Sequence, residues 1–365
     1  MIHSRWLKSL ATSLALTGSI SIGLAQSDTE SIADAQHAID PGDDSWTGLL
    51  DLSRYTFREL TLYWDNDGTI PGVIKDSDRY YTNANGIELS FDPNLTPALE
   101  NRFASADQWD DPRFGVGIAI KQRIYSPADI NLSNPPARDH PYGGYLALGF
   151  TLQRADDDTH DSFTLDLGIV GPSSGSESAQ KWIHNTFPDE IDPKGWDTQL
   201  STEPTINFAF TRTWKSEKAN IAGVELEMLP ALGFDLGNVL ISARSSMTLR
   251  IGKNLPTDFG PPNLLGQKDH TVRVSQSLES PWSLYIYTRL GVDAIARDMF
   301  LDGPIFTSSR SAKREPFVAT FSFGFMARYK GIYIGWAQHI QTERFELQPD
   351  DQTWGSIILG CSFDW

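Results

Sequence analysis

Alternation is the feature that most constrains how this chain can fold. From Phe57 onward, aromatic and branched apolar side chains recur at every second position in run after run. That is the period of an extended strand with two chemically different faces. Ile206, Phe208 and Phe210 alternate with Asn207, Ala209 and Thr211. Trp282, Leu284, Ile286, Thr288 and Leu290 share one face of 281–298, and Ile332, Ile334 and Trp336 oppose Tyr333, Gly335 and Ala337. About twelve strands are predicted, near 57–66, 84–92, 114–124, 143–155, 160–170, 205–215, 219–233, 238–251, 281–298, 314–329, 330–346 and 353–365. Tight connections at 215–220 and Lys330–Gly331 contrast with long ones at 125–142, 171–204 and 252–280. Short turns with long loops suit an all-β, antiparallel transmembrane β-barrel of about 12 strands. The last strand places Ile357, Leu359, Cys361, Phe363 and Trp365 on one face and ends on an aromatic residue, the pattern that the barrel-assembly machinery reads. A soluble β-sandwich or lipocalin-like barrel also alternates; strand number, terminal aromatic and leader favour the membrane barrel.

That leader is the first 25 residues. Arg5 and Lys8 precede a charge-free apolar stretch from Ser9 to Ala25, and Gly23 and Ala25 supply the small residues a signal peptidase requires. Cleavage after Ala25 gives an exported protein destined for the bacterial outer membrane. Residues 26–56 are polar and acidic with little periodicity, and read as a flexible N-terminal segment ahead of the barrel at 57–365. No later apolar run reaches the roughly 20 residues of a spanning helix. The chain carries a net charge of -17 over 365 residues, which argues against a nucleic-acid partner. One cysteine, Cys361, excludes an intramolecular disulfide and a multi-cysteine metal site; it is expected to face lipid or a neighbouring strand.

One segment departs from the strand pattern. Ser174-Gly-Ser-Glu177 reads as a capping box, and a short helix near 174–187 follows in a long loop. Ala179, Ile183 and Phe187 form its apolar stripe, with Gln180 and His184 one turn apart on an adjacent face. Gly171-Pro-Ser-Ser-Gly175 matches the nucleophile elbow of serine hydrolases, but that elbow belongs to a parallel α/β sheet, so a turn and helix cap is the better reading. Asp65-Asn66-Asp67-Gly68 clusters hard oxygen ligands of the kind Ca²⁺ takes, without the pattern of an EF-hand loop. Asp76–Asn83 precedes the second strand and brings Thr82 to the same barrel end. Of seven histidines, His140 and His184 are the two candidate bases.

Together these segments resemble the LpxR-type lipid A 3'-O-deacylase family, from about Trp64 to Trp365. The residues that carry the resemblance are WDND (64–67), DSDRYYTNANGIELSF (76–91), IYSP (124–127), DHPYGGYL (139–146), LGIVGPSSGSESAQKWIH (167–184), PKGWDTQL (193–200) and RIGKNLPTDFGPP (250–262). The resemblance implies a twelve-stranded barrel with a Ca²⁺-dependent esterase site between lumen and outer leaflet, acting on lipid A or a related membrane lipid. It assigns catalytic roles to Asn66, Asp67, Thr82 and His184, and metal ligation to Asp67 and Glu190, with Asp189 the alternative to Glu190. In that scheme His184 activates water while a Ca²⁺ stabilises the oxyanion. The chain departs from the family in carrying Asp139-His-Pro-Tyr142 where Asp-Arg-Pro-Tyr is usual, and the loop 125–142 supplies Arg138 as its one cation. Two other functions fit such a chain: a non-catalytic barrel (channel or structural), and a phospholipase-type esterase.

Overall fold

The computed structural model describes residues 52–67, 79–94, 109, 112–186, 193–261 and 280–363. The strands are β1 (Tyr55–Asn66), β2 (Tyr80–Pro93), β3 (Arg113–Ser126), β4 (Gly143–Ala155), β5 (Thr159–Val170), β6 (Glu203–Trp214), β7 (Ala219–Ile221), β8 (Val224–Gly237), β9 (Leu240–Lys253), β10 (Trp282–Asp298), β11 (Phe317–Tyr329), β12 (Ile332–Gln341) and β13 (Gln352–Ser362). Two helices, α1 (Ser176–Thr186) and α2 (Met299–Asp302), interrupt them. β1 pairs with β13, and β6 pairs directly with β8, so the antiparallel ladder closes on itself as twelve staves. The short β7 pairs with β8 alone, outside the closure.

The predicted strands correspond one for one to the staves, with shifted bounds: the second begins at Tyr80 rather than 84, and the eleventh ends at Gln341 rather than 346. The segment expected to begin at 219 begins at Val224, because Ala222 and Gly223 adopt positive φ (54° and 81°) and turn β7 back onto β8. The first strand begins at Tyr55, inside the segment read as a flexible N-terminus. The signal segment 1–25 and the terminal Trp365 lie outside the described residues.

The two faces of the wall are inverted relative to a soluble protein. Leu62, Ile87, Ile120, Phe150, Ile206, Ile286 and Leu359 point outward and are exposed, whereas Glu59, Lys121, Glu227, Arg250 and Asp235 are buried within. An apolar exterior around a polar interior is what a bilayer selects and water does not. Cys361 falls on the same outward face as Leu359, partly exposed.

Inside, charge is held in pairs. Lys121 bonds Asp166, Arg244 bonds Asp235 (2.7 Å), and Arg250 joins Glu227 (2.6 Å) and Asp258. Buried ions need such partners, since removal of one strands the other in a low dielectric. The rim that holds Tyr55 and Ser362 is the near rim. There Asp258 binds Arg250, and Phe259 stacks on His160 at 5.2 Å. At the far rim α2 closes over the lumen, capped by the Asp298 side chain accepting from Phe300 N, with Met299, Phe300 and Leu301 buried.

Candidate active site

The far-rim ends of β1, β2 and β3 bring together Asn66, Asp67 and Thr82. Asn66 Nδ2 donates to the Thr82 carbonyl (3.4 Å), and Asp67 N donates to the same oxygen (3.2 Å). Asp67 is buried, and one of its carboxylate oxygens accepts from Arg79 N at 2.6 Å. Thr82 sits at a β-bulge between Tyr81 and Asn83, where the register with β3 slips by one residue. The bulge re-aims its side chain, as bulges beside active sites do, and its hydroxyl hydrogen-bonds that of Ser126, the last residue of β3. Two residues earlier, Tyr80 is held at φ +66° by its packing on Phe345 and His140. A bulky residue in that region is uncommon, and such strain gathers at functional sites.

Ser126 was not among the predicted residues, although it lies in the IYSP segment. Its parity reveals where this cluster stands. On β3 the even residues Ile118 and Ile120 are exposed outward, so Gln122, Ile124 and Ser126 continue the outer face toward the far rim. Yet Ile124 and Ser126 are fully buried. The outer wall is therefore covered here, and the covering element is the insert between β5 and β6.

Helix α1 packs on β3 and β4. Its approach is set by Gly144 on the outward face of β4, where a Cβ would run into Ser174 and Ser176, with Ser176 Oγ at 2.5 Å. Gln122 Nε2 donates to the Ser174 carbonyl (3.4 Å). Behind the helix, Trp196 and Tyr142 stack at 4.9 Å, and together with Ile124 and Ile130 they form a small core against which Ala179 packs.

The more deeply buried face of α1 is the polar one. Ser176, Gln180 and His184, spaced one turn apart, are the buried stripe, while Ala179 and Ile183 are half-buried. Gln180 Oε1 accepts the indole N–H of Trp196 at 2.8 Å, which gives that buried oxygen its partner. Trp182, on the opposite side, is 69% exposed. The expected capping box is also different. The helix starts at Ser176 after Gly175 in the left-handed region, Ser174 Oγ donates to Ser176 Oγ (3.0 Å), and Glu177 pairs with Lys181 (2.8 Å). The Gly171–Gly175 stretch forms a turn against an antiparallel sheet, with exposed Ser173 bonded to Thr202, and is no nucleophile elbow.

His140 belongs elsewhere. It is fully buried over the lumen, stacked on Tyr125 (5.4 Å, 8°) and edge-on to Phe345, with Nδ1 on the Pro141 carbonyl at 2.8 Å. Burial, then the Arg344 guanidinium, lower its pKa to about 3, so it is a neutral packing ring near neutral pH. The guanidinium in this cap comes from Arg344, which lies 5.3 Å over Tyr125.

A hard cation takes oxygen ligands, and the Asp67 carboxylate with the Thr82 and Ser126 hydroxyls supplies oxygens alone. Glu190 and Asp189 lie outside the described residues. Among the described residues no group of three or more His, Cys, Asp or Glu comes together.

The family model described as outer membrane protein LpxR matches residues 16–363. Among solved structures, LpxR from Salmonella typhimurium superposes with a TM-score of 0.67 at 18% identity, over 84% of this chain and 100% of that one. The β domain of the Bordetella autotransporter BrkA is more distant, with a TM-score of 0.41 at 10% identity over 85% of this chain and 99% of that one. No curated protein matches in sequence.

Proposed function

The chain belongs to the LpxR family of outer membrane proteins, and from that membership we propose that it is a lipid A deacylase, hydrolysing an ester-linked acyl chain in the manner of a 3'-O-deacylase. The observation that carries the reading is the position of the site. A helix lies on the outer wall with a polar, histidine-bearing stripe turned toward β3 and β4, at the upper edge of an apolar belt. An acyl chain laid against Ile118, Ile120, Leu146 and Leu148 stays in hydrocarbon while its ester reaches the far rim. In this reading the far rim faces the cell exterior.

The chemistry assigned to the residues is ester hydrolysis by water. His184 takes a proton from water as that water attacks the carbonyl, and returns it to the departing sugar oxygen, leaving a free fatty acid and a hydroxyl. Asn66 and Thr82 orient the ester, and Ser126 fixes the Thr82 hydroxyl. Asp67 and Glu190 would hold a Ca²⁺, which supplies Lewis-acid stabilisation of the oxyanion when bound. Gly144 and Gln180 fix the helix so that the histidine stays in place.

The test is mass spectrometry of lipid A incubated with the purified barrel in the presence of Ca²⁺ or a chelator. Loss of one ester-linked acyl chain is expected with Ca²⁺, and none from the His184→Asn variant with normal barrel assembly. Unchanged deacylation by that variant refutes the role of His184. Release of fatty acid from glycerophospholipid instead of lipid A makes the protein a phospholipase-type esterase.

A further inference from the structure

The lumen beneath the far-rim cap holds a cavity of about 60 Å³, several times what a single water occupies on the same measure. Its walls are polar and aromatic: Arg123, Arg244 and Arg344 face it, with Asp293, Asp298 and the ring of Phe300. Two of the guanidiniums are engaged. Arg344 binds Asp298, and Arg244 binds Asp235 (2.7 Å) and the Thr211 hydroxyl (2.8 Å). Arg123 differs. It is 6% exposed, lies 5.6 Å over the Tyr145 ring, and makes no hydrogen bond or ion pair with any described residue; its Nε is buried without an acceptor. The nearby carboxylate of Asp166 is taken by Lys121.

A buried guanidinium with five donors and no acceptor is costly, because desolvation is not offset. The space beside it is open for a definite reason. Gly291 and Ser246 are cross-strand partners on the inward face, and a Cβ placed on Gly291 meets nothing nearer than 3.7 Å. We propose that this cavity is a binding site for a small tetrahedral oxyanion of phosphate's class, held by Arg123 with Arg344 and Arg244 as flanking positive groups. Planar guanidinium forks match such oxygens, and the lining carries three guanidiniums against two carboxylates. The site is separate from the outer-wall cluster, and its ligand is a free ion rather than a lipid headgroup, since it lies inside the closed wall beneath α2.

Equilibrium dialysis of the purified full chain in detergent against radiolabelled inorganic phosphate, at ionic strength matched with chloride, tests this. Saturable uptake of about one phosphate per barrel is expected, with sulfate competing. Arg123→Gln is expected to weaken binding at least roughly tenfold, by loss of charge-assisted hydrogen bonds. Gly291→Val keeps every charge but fills the space, and is expected to abolish uptake. Barrel assembly is followed for each variant by its heat-dependent shift on gels; where Arg123→Gln fails to assemble, Gly291→Val decides. Absence of saturable uptake by the unmodified protein, or wild-type uptake by Gly291→Val, overturns the proposal.

Discussion

Replacing Gly144 by alanine is the sharpest way to separate the outer-wall site from the barrel that carries it. One methyl group is added, on the outward face of β4, directly beneath the start of α1. Ser176 Oγ would stand 2.5 Å from it, and ordinary contact begins near 3.4 Å. The helix must therefore retreat from the wall by roughly 1 Å, because the wall itself is fixed by ladder bonds on both sides of β4. A misplacement of about 1 Å at a reacting group costs on the order of 10²-fold in rate, or about 2.7 kcal/mol of transition-state stabilisation. The strand keeps all its pairing, so assembly is expected to be normal. Initial rates of lipid A deacylation, with the heat-shift gel as a folding control, read the effect. Adding Ser174→Gly and Ser176→Gly removes the atoms in collision and is expected to restore most of the rate. Activity of Gly144→Ala within about threefold of wild type would refute the claim that this glycine sets the position of the helix.

Further predictions follow from the same geometry. Gln180→Leu leaves the Trp196 indole N–H buried without its acceptor, a loss of about 1–3 kcal/mol, and is expected to expose the insert to proteolysis while the barrel stays intact. His140 titrates near 3 in the fold and near its ordinary 6.5 once unfolded. The unfolded chain therefore binds the extra proton as pH drops below about 6.5, and stability falls by up to about 1.4 kcal/mol per unit until about pH 3. His140→Phe is expected to flatten that part of the profile, read as the difference in urea midpoints between the two proteins at pH 7 and pH 4. Planar bilayers containing the protein are expected to show no stable conductance, because paired charges and the α2 cap crowd the lumen; open-channel currents would revive the non-catalytic reading.

Much of the fold was legible because a barrel wall is written in local terms. Period-2 alternation in segments such as 205–215 and 281–298 is sufficient to place a stave, since each residue's face depends only on parity. Part of the candidate cluster was legible. Asn66, Asp67 and Thr82 are joined by hydrogen bonds, and His184 is on the helix that packs against the adjoining strands. What parity does not reveal is what covers an outward face. Ile124 reads as one more lipid-facing residue until α1 and Trp196 close over it. The apolar stripe of α1 does not show which face is covered: Ala179 and Ile183 are half-buried, whereas Ser176, Gln180 and His184 are buried. His140 had the composition of a base; only the rings of Tyr125, Tyr80 and Phe345, contributed by distant segments, make it a packing group.

The direct pairing of β6 with β8 has a consequence for how such a protein can operate in an envelope. On the proposed function, a cylinder sealed by hydrogen bonds around its whole circumference, with its candidate reactive groups hung on the outside, need not open in order to turn over. Reactants arrive by sideways diffusion within a two-dimensional film, and the permeability barrier stays intact throughout the cycle.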